Sequence, residues 1–243
     1  MIRTLLRQTD LGDLLSLVSP SLFDVVSVPG VLRRGRQVLK ESKTTWPQRR
    51  EHTSAGLPAS VRLVRRLDGL DPDRRPDPQS VGDAILTVYF TQLLWDRPTV
   101  LDLRASAWGA APGGMQWAPA PTTVVWDPAF IDAMRGVYRG FYEGDNELFE
   151  DSLARLSLRG AADLFRAHFG GGDQRSVAFD RRTFVQSFGA IFEHCKQSGV
   201  TLHEDFVLLG AYLAGLYDSL SDLGVELDVR AAYDTARAHV IAS

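Results

Sequence analysis

Cysteine is almost missing from this chain: Cys195 is the only one among 243 residues. No internal disulfide can form, which excludes the disulfide-stapled secreted scaffolds and makes a cytoplasmic setting the expectation. Long apolar runs are missing as well. The longest candidate, Phe206 to Tyr217, has 12 residues, against the roughly 20 that a bilayer-spanning helix needs. Arg3 and Arg7 precede an apolar opening, but Asp10, Asp13 and Asp24 interrupt it and no small-residue cleavage site follows, so it reads as mature sequence.

The usual catalytic signatures are absent too. His52, His168, His194, His203 and His239 form no H-x-x-x-H or H-E-x-x-H pair, so no zinc site is expected. There is no G-x-S-x-G elbow, no P-loop and no G-x-G-x-x-G. His194 and Cys195 are adjacent, but neighbours on a helix point about 100° apart and do not face each other as base and nucleophile.

What is present is an ordinary globular composition, 44% apolar and 23% charged, in a chain long enough for one large domain or two small ones. The net charge of -3 hides an asymmetry: residues 1–75 hold 14 Lys and Arg against 8 Asp and Glu, and the remainder holds 13 against 22. A basic front precedes an acidic body. The front either meets something anionic or is neutralised by the body within one fold.

Leu5 to Val28 reads as one or two short amphipathic helices, cut by Pro20 and Pro29. Val31 to Glu51 carries Arg33, Arg34, Arg36, Lys40, Lys43, Arg49 and Arg50 and reads as a basic helix ending near Trp46-Pro47. Ser60 to Leu67 alternates apolar and basic residues like a strand ended by Asp68-Gly69, and Asp71 to Gln79, with three prolines, is a linker. Val81 to Trp95 is apolar on nearly every side, as in a helix buried mid-domain. Thr99 to Leu103 is a short apolar piece, and Ala110 to Pro121 reads as a Gly/Pro loop. Thr122 to Trp126 reads as a strand, and Asp127-Pro128 as an N-cap with proline at the first helical position.

Helices are then expected near Pro128 to Tyr142, Asn146 to Leu158, Ala161 to Phe169, Arg181 to Gln197, Leu202 to Leu223 and Val229 to Ile241. Thr201 and Glu204 have capping-box spacing before a core stripe of Phe206, Leu209, Leu213, Leu216, Leu220 and Leu223. Gly170 to Gly172 reads as a turn.

The order strand, linker, buried helix, loop with Asp102, turn, short strand ending at Asp127, then helices is that of a protein-kinase C-lobe. V-R-L-V-R-R-L-D-G (Val61 to Gly69), F-T-Q-L-L-W-D (Phe90 to Asp96), V-L-D-L-R-A-S-A (Val100 to Ala107) and V-V-W-D-P-A (Val124 to Ala129) follow one another as in the AarF/UbiB group of atypical kinase-like proteins. Those stretches resemble, in turn, its hinge, the end of its helix, its H-A-D-P-H-P-G-N loop and its strand into D-F-G. Tyr138 to Phe149 and Gly199 to Leu220 are similar to later helices of that family. The resemblance implies a mainly α fold: a kinase-like C-lobe over residues 60–243 with a few short strands, and a basic helical segment, 1–59, replacing the N-lobe.

The departures from the family's pattern matter for function. Asp102 matches the catalytic-loop acid, but Val100 stands in place of its histidine and Ala107 in place of the Mg²⁺-binding asparagine. Asp127 matches the metal-binding acid, but Pro128 and Ala129 replace Phe and Gly, and no K-x-G-Q signature precedes the hinge. Alanine offers no oxygen to a hard cation. The reading that follows is a non-catalytic, pseudokinase-like binding or scaffolding protein needing no cofactor.

As the resemblance implies a link to isoprenoid lipids, the partners expected are another protein or an anionic membrane surface, with an isoprenoid-like apolar ligand. Arg33, Arg34, Arg36, Lys40 and Lys43 would meet that surface, and the protein would be peripheral to the membrane. The alternative is an enzyme, either with residual ATP and Mg²⁺ chemistry at Asp102 and Asp127 or with a repurposed cleft lined by Trp108, Trp117 and Trp126. Nucleic-acid binding ranks behind both, because Trp46 is the one aromatic interleaved with the basic run.

Overall fold

The computed structural model describes residues 24–67, 76–169 and 176–242. Asp68-Gly69, most of the proline-rich linker, Gly170 to Gly172 and nearly all of the amphipathic opening lie outside the described residues. In chain order the elements are α1 (Val28–Ser54), β1 (Val61–Leu63), α2 (Pro78–Leu94), β2 (Thr99–Val100), β3 (Trp108–Ala111), β4 (Gly114–Trp117), β5 (Thr123–Val124), α3 (Pro128–Glu143) and α4 (Asn146–Arg155). There follow α5 (Ala162–Phe169), β6 (Val177–Ala178), α6 (Arg181–Gln197), α7 (Asp205–Leu223), β7 (Glu226–Leu227) and α8 (Val229–Ala242). The protein is mainly α with a few short strands.

Two compact units divide the described residues: 24–37, 126–169 and 181–214 form the first, and 38–67, 76–125, 176–180 and 215–242 the second. The boundary expected at 59/60 lies inside the second unit.

In the first unit, α3 and α4 form a helical hairpin. Asp127 caps α3 through its side chain, Pro128 occupies the first turn, and Gly144 ends the helix at φ 75° in the left-handed region that favours glycine. The two helices approach closely because α3 presents glycine: a Cβ on Gly140 would lie 2.5 Å from the Phe149 amide nitrogen. Farther along, Phe169, Phe184 and Phe188 surround His168, whose Nδ1 lies 2.9 Å from the Ser187 hydroxyl.

In the second unit, α2 is the centre. Asp77 caps it, and residues on several sides of it, among them Val81, Ile85, Val88, Tyr89, Phe90 and Leu93, are buried. The α8 helix packs along α2, with Tyr233 edge-on to Phe90 at 5.5 Å. Gln92 in α2 is buried and stands in for a strand neighbour: its Nε2 donates to the Val100 carbonyl at 3.1 Å, and its Oε1 accepts from the Val100 amide at 2.7 Å. That clamp positions β2, which pairs antiparallel with β5. A separate sheet has the order β1-β4-β3, with β1 and β4 parallel and β3 and β4 antiparallel.

Four local expectations are corrected. The basic helix does not stop at Trp46-Pro47 but runs through Pro47 to Ser54. Contacts beyond the proline hold its last turns: Arg49 Nη1 donates to the Thr123 hydroxyl, and Thr53 is buried. The Ala110 to Pro121 stretch is not all loop, because β3 and β4 pair from Trp108↔Trp117 to Ala111↔Gly114 around Pro112-Gly113. Gly113 has φ 80°, the conformation a tight Pro-Gly turn demands. The alternating strand is only Val61–Leu63, inside a longer pattern of similar appearance. Finally, α7 starts at Asp205, and Glu204 forms an ion pair with Arg33 at 2.9 Å rather than closing a capping box from Leu202 onward.

Candidate functional site

Asp102 sits just after β2 in the second unit and is buried, 5% exposed. Both of its carboxylate oxygens are engaged. Oδ1 accepts from the Arg104 amide at 3.2 Å and from Arg104 Nε at 2.7 Å; Oδ2 accepts from Arg104 Nη2 at 2.9 Å and from the Ala120 amide at 2.6 Å. Its carbonyl accepts from the indole Nε1 of Trp117 at 3.1 Å. Every one of these bonds ties the loop to itself, to the end of β4 or to the segment after β4. A carboxylate in that state has no free lone pair directed at a reacting hydroxyl.

Asp127 belongs to the first unit and serves α3. Its Oδ1 accepts from the amides of Ala129 and Phe130, both at 3.0 Å. Its own amide donates to Asp205 Oδ2 at 2.8 Å. Asp205 is wholly buried at the start of α7, and its carboxylate takes Arg34 in a two-point pair, Nε to Oδ1 and Nη2 to Oδ2. The Asp205 amide lies 3.2 Å from His203 Nδ1, and the His203 ring stacks on Phe130 in α3. Arg34, Asp205 and the Asp127 backbone thus join three segments of the first unit around a single buried carboxylate. Asp205 escaped the sequence reading. The signal was a carboxylate opening an otherwise apolar helix, a position that needs a cationic partner when buried.

The tryptophans divide between the units. Trp108 and Trp117 are brought together across β3 and β4, their rings stacked with centroids 5.4 Å apart and planes 14° from parallel. Both are buried, Trp117 completely, so they fill the core instead of lining an open pocket. Trp126 is buried in the first unit at 6.0 Å from the Phe130 ring. Each of the three, expected to line a ligand cleft, is thus buried within its own unit.

Among the basic residues, Arg34 is also corrected. It faces inward to Asp205 and is not available to an outside surface. The Arg33 side chain is 74% exposed and paired with Glu204. Arg36 and Lys40 are exposed, and the side chain of Lys43 lies outside the described part. Cys195 is buried, and burial pushes its thiol up to about 11, the opposite of what a nucleophilic cysteine needs.

The fit of Mg²⁺ to these positions can be judged from the donors. At Asp102 the cation would have to displace Arg104 from both oxygens, and Ala107 brings no side-chain oxygen. Asp127 has one oxygen occupied in capping. Among the described residues no group of three or more His, Cys, Asp and Glu gathers as a metal ligand set, and no helix is long and apolar enough to cross a membrane. A scan against protein-family models finds no match, and a search of curated proteins finds none either.

Proposed function

We propose that this chain is a non-catalytic binding or scaffolding protein, a pseudokinase-like relative of the AarF/UbiB group whose catalytic positions have become structural. The observation that carries this reading is the state of Asp102. Phosphoryl transfer depends on positioning and charge stabilisation by an acid free to orient the acceptor and by acids and amides that hold Mg²⁺. Asp102 instead has four hydrogen bonds within its own loop region, and Asp127 works as a helix cap.

The test is a thermal-shift titration of the full chain with ATP and Mg²⁺. A ligand at 100 times its dissociation constant adds about 2.7 kcal/mol of stability, a rise in Tm of several degrees. No shift is expected. A nucleotide-dependent rise that vanishes in Asp127→Ala, or ATP turnover that vanishes in Asp102→Asn, overturns the proposal.

The partner we infer is an anionic bilayer, with the isoprenoid-like apolar ligand that the family resemblance implies. Exposed Arg36 and Lys40 on α1, together with Arg33, support it. Flotation with phosphatidylserine-containing vesicles at low salt should carry the protein upward, and joint replacement of Arg33, Arg36 and Lys40 by Gln should release it. A protein that stays at the bottom of the gradient points to a protein partner instead.

A further inference from the structure

The second unit contains an open cleft of about 270 Å³ lined by Gly56, Leu94, Trp95, Asp96, Arg97 and Val240. Its size is close to the lower limit of small-molecule sites, roughly 300 Å³. Apolar surface comes from Leu94, Trp95 and Val240, and the one cation of the lining is Arg97.

Arg97 is held in place by the end of α1. In the last turn the Glu51, Thr53 and Ser54 carbonyls accept from the amides of Ala55, Gly56 and Leu57. The His52 carbonyl accepts from Arg97 Nη1 at 2.7 Å. The guanidinium also lies 5.8 Å from the centroid of the Trp95 ring. Gly56 makes this possible: a Cβ there would come within 2.8 Å of the Trp95 ring and collide with Arg97 Nη1. The Gly56 carbonyl is in turn 3.0 Å from His239 Nε2 in α8. A guanidinium has five N–H donors. Arg97 uses one on His52 and has no carboxylate partner among the described residues, so a fixed cation with donors to spare borders an apolar cleft.

We propose that this cleft binds a small organic carboxylate, with its charge on Arg97 and a compact aromatic or short aliphatic body against Trp95, Leu94 and Val240. Planar two-point pairing makes carboxylate a natural partner of arginine. Asp96, exposed on the same lining and engaged in its own interactions, sets the sign of the selectivity. Its negative charge turns the anionic end of a ligand toward Arg97 and opposes a dianion more than a monoanion. Neither Asp102 nor Asp127 is among the lining residues.

Isothermal titration of the full chain with benzoate, phenyl phosphate and benzamide tests this, at probe concentrations up to about 10 mM to reach millimolar affinities. Benzoate is expected to bind, phenyl phosphate more weakly, and benzamide not measurably. Arg97→Gln should weaken benzoate roughly tenfold or more. Val240→Phe, which fills the cleft and leaves Arg97 in place, should do the same. Circular dichroism of both variants establishes that they are folded. The absence of benzoate binding, equal binding of benzamide, tighter binding of phenyl phosphate, or a folded Arg97→Gln that binds like the parent overturns the proposal.

Discussion

Asp102 and Asp205 are both buried acids held by an arginine, but the arginines differ in exposure. The Arg104 side chain is 52% exposed and that of Arg34 only 10%. Solvent screens the first pair and not the second. Asp205→Asn should therefore cost about 3–5 kcal/mol, because it removes the negative charge that takes the buried Arg34 guanidinium in a two-point pair. Asp102→Asn should cost less, about 1–3 kcal/mol, through lost bonds to Arg104 and Ala120. Urea unfolding of the two variants gives the order, and an equal or reversed ranking would contradict this account of the two pairs. Sequence reading singled out Asp102 and Asp127 by the order of elements around them and by the family resemblance. It could not locate the Arg34–Asp205 pair, whose members lie 171 residues apart and meet only in the folded chain.

His168 supplies a pH dependence with a definite sign. Burial lowers its pKa from 6.5 to about 4, and the groups packed on it include Ser187, Phe169, Phe184 and Phe188. Above pH 6.5 the imidazole is neutral in both states and adds no dependence. Between 6.5 and about 4 the unfolded chain takes up a proton that the native state refuses, so stability falls as pH falls through this window and then levels off. The loss attributable to His168 is at most about 3 kcal/mol. His168→Gln, which preserves a bond to Ser187, should remove this component, read as the difference between the two stability curves from pH 7 to pH 4. Superimposable curves would mean that the ring is charged in the folded protein without penalty.

At the scale of elements, helices were the legible part. Arg181–Gln197 and the start of the helix at Pro128 agree with their apolar spacing and caps, because a stripe every three to four residues has one way to be buried. The β3–β4 hairpin was obscured, since Gly and Pro mark loops and tight hairpin turns alike, and pairing is a nonlocal fact. Helix packing is equally nonlocal, and two glycines make the point. Gly140 in α3 faces the Phe149 backbone, so Gly140→Ala forces α3 and α4 apart and should cost about 1–3 kcal/mol. Gly189 in α6 has nothing within 4 Å of its added Cβ. Gly189→Ala should instead stabilise by about 0.5–1 kcal/mol, through helix propensity alone. Thermal melts of the two variants should move in opposite directions, and a drop in both would mean that the exposed face of α6 is covered in solution.

For the whole molecule, the uneven charge of the sequence has a partial internal answer. Two cations of the basic front, Arg33 and Arg34, pair with Glu204 and Asp205 of the acidic body, so the imbalance is in part folded away. These pairs join distant stretches of chain in the first unit, as the packing of α8 on α2 does in the second, so neither unit is a contiguous piece of chain. A cut at 125/126 leaves residues 126–243 with Asp205 but without Arg34, and with α8 but without the α2 helix on which Tyr233 and Ala236 are buried. The other fragment retains α2 with its α8-facing side uncovered. Each fragment should therefore show helical far-UV dichroism without a sharp unfolding transition and should bind a hydrophobic dye, whereas the intact chain unfolds cooperatively. Mixing the two should recover the cooperative transition and release the dye, because the missing partners are then supplied in trans. If 126–243 alone unfolds sharply in urea, with a slope appropriate to its length, Arg34 and α2 are dispensable to the packing described above.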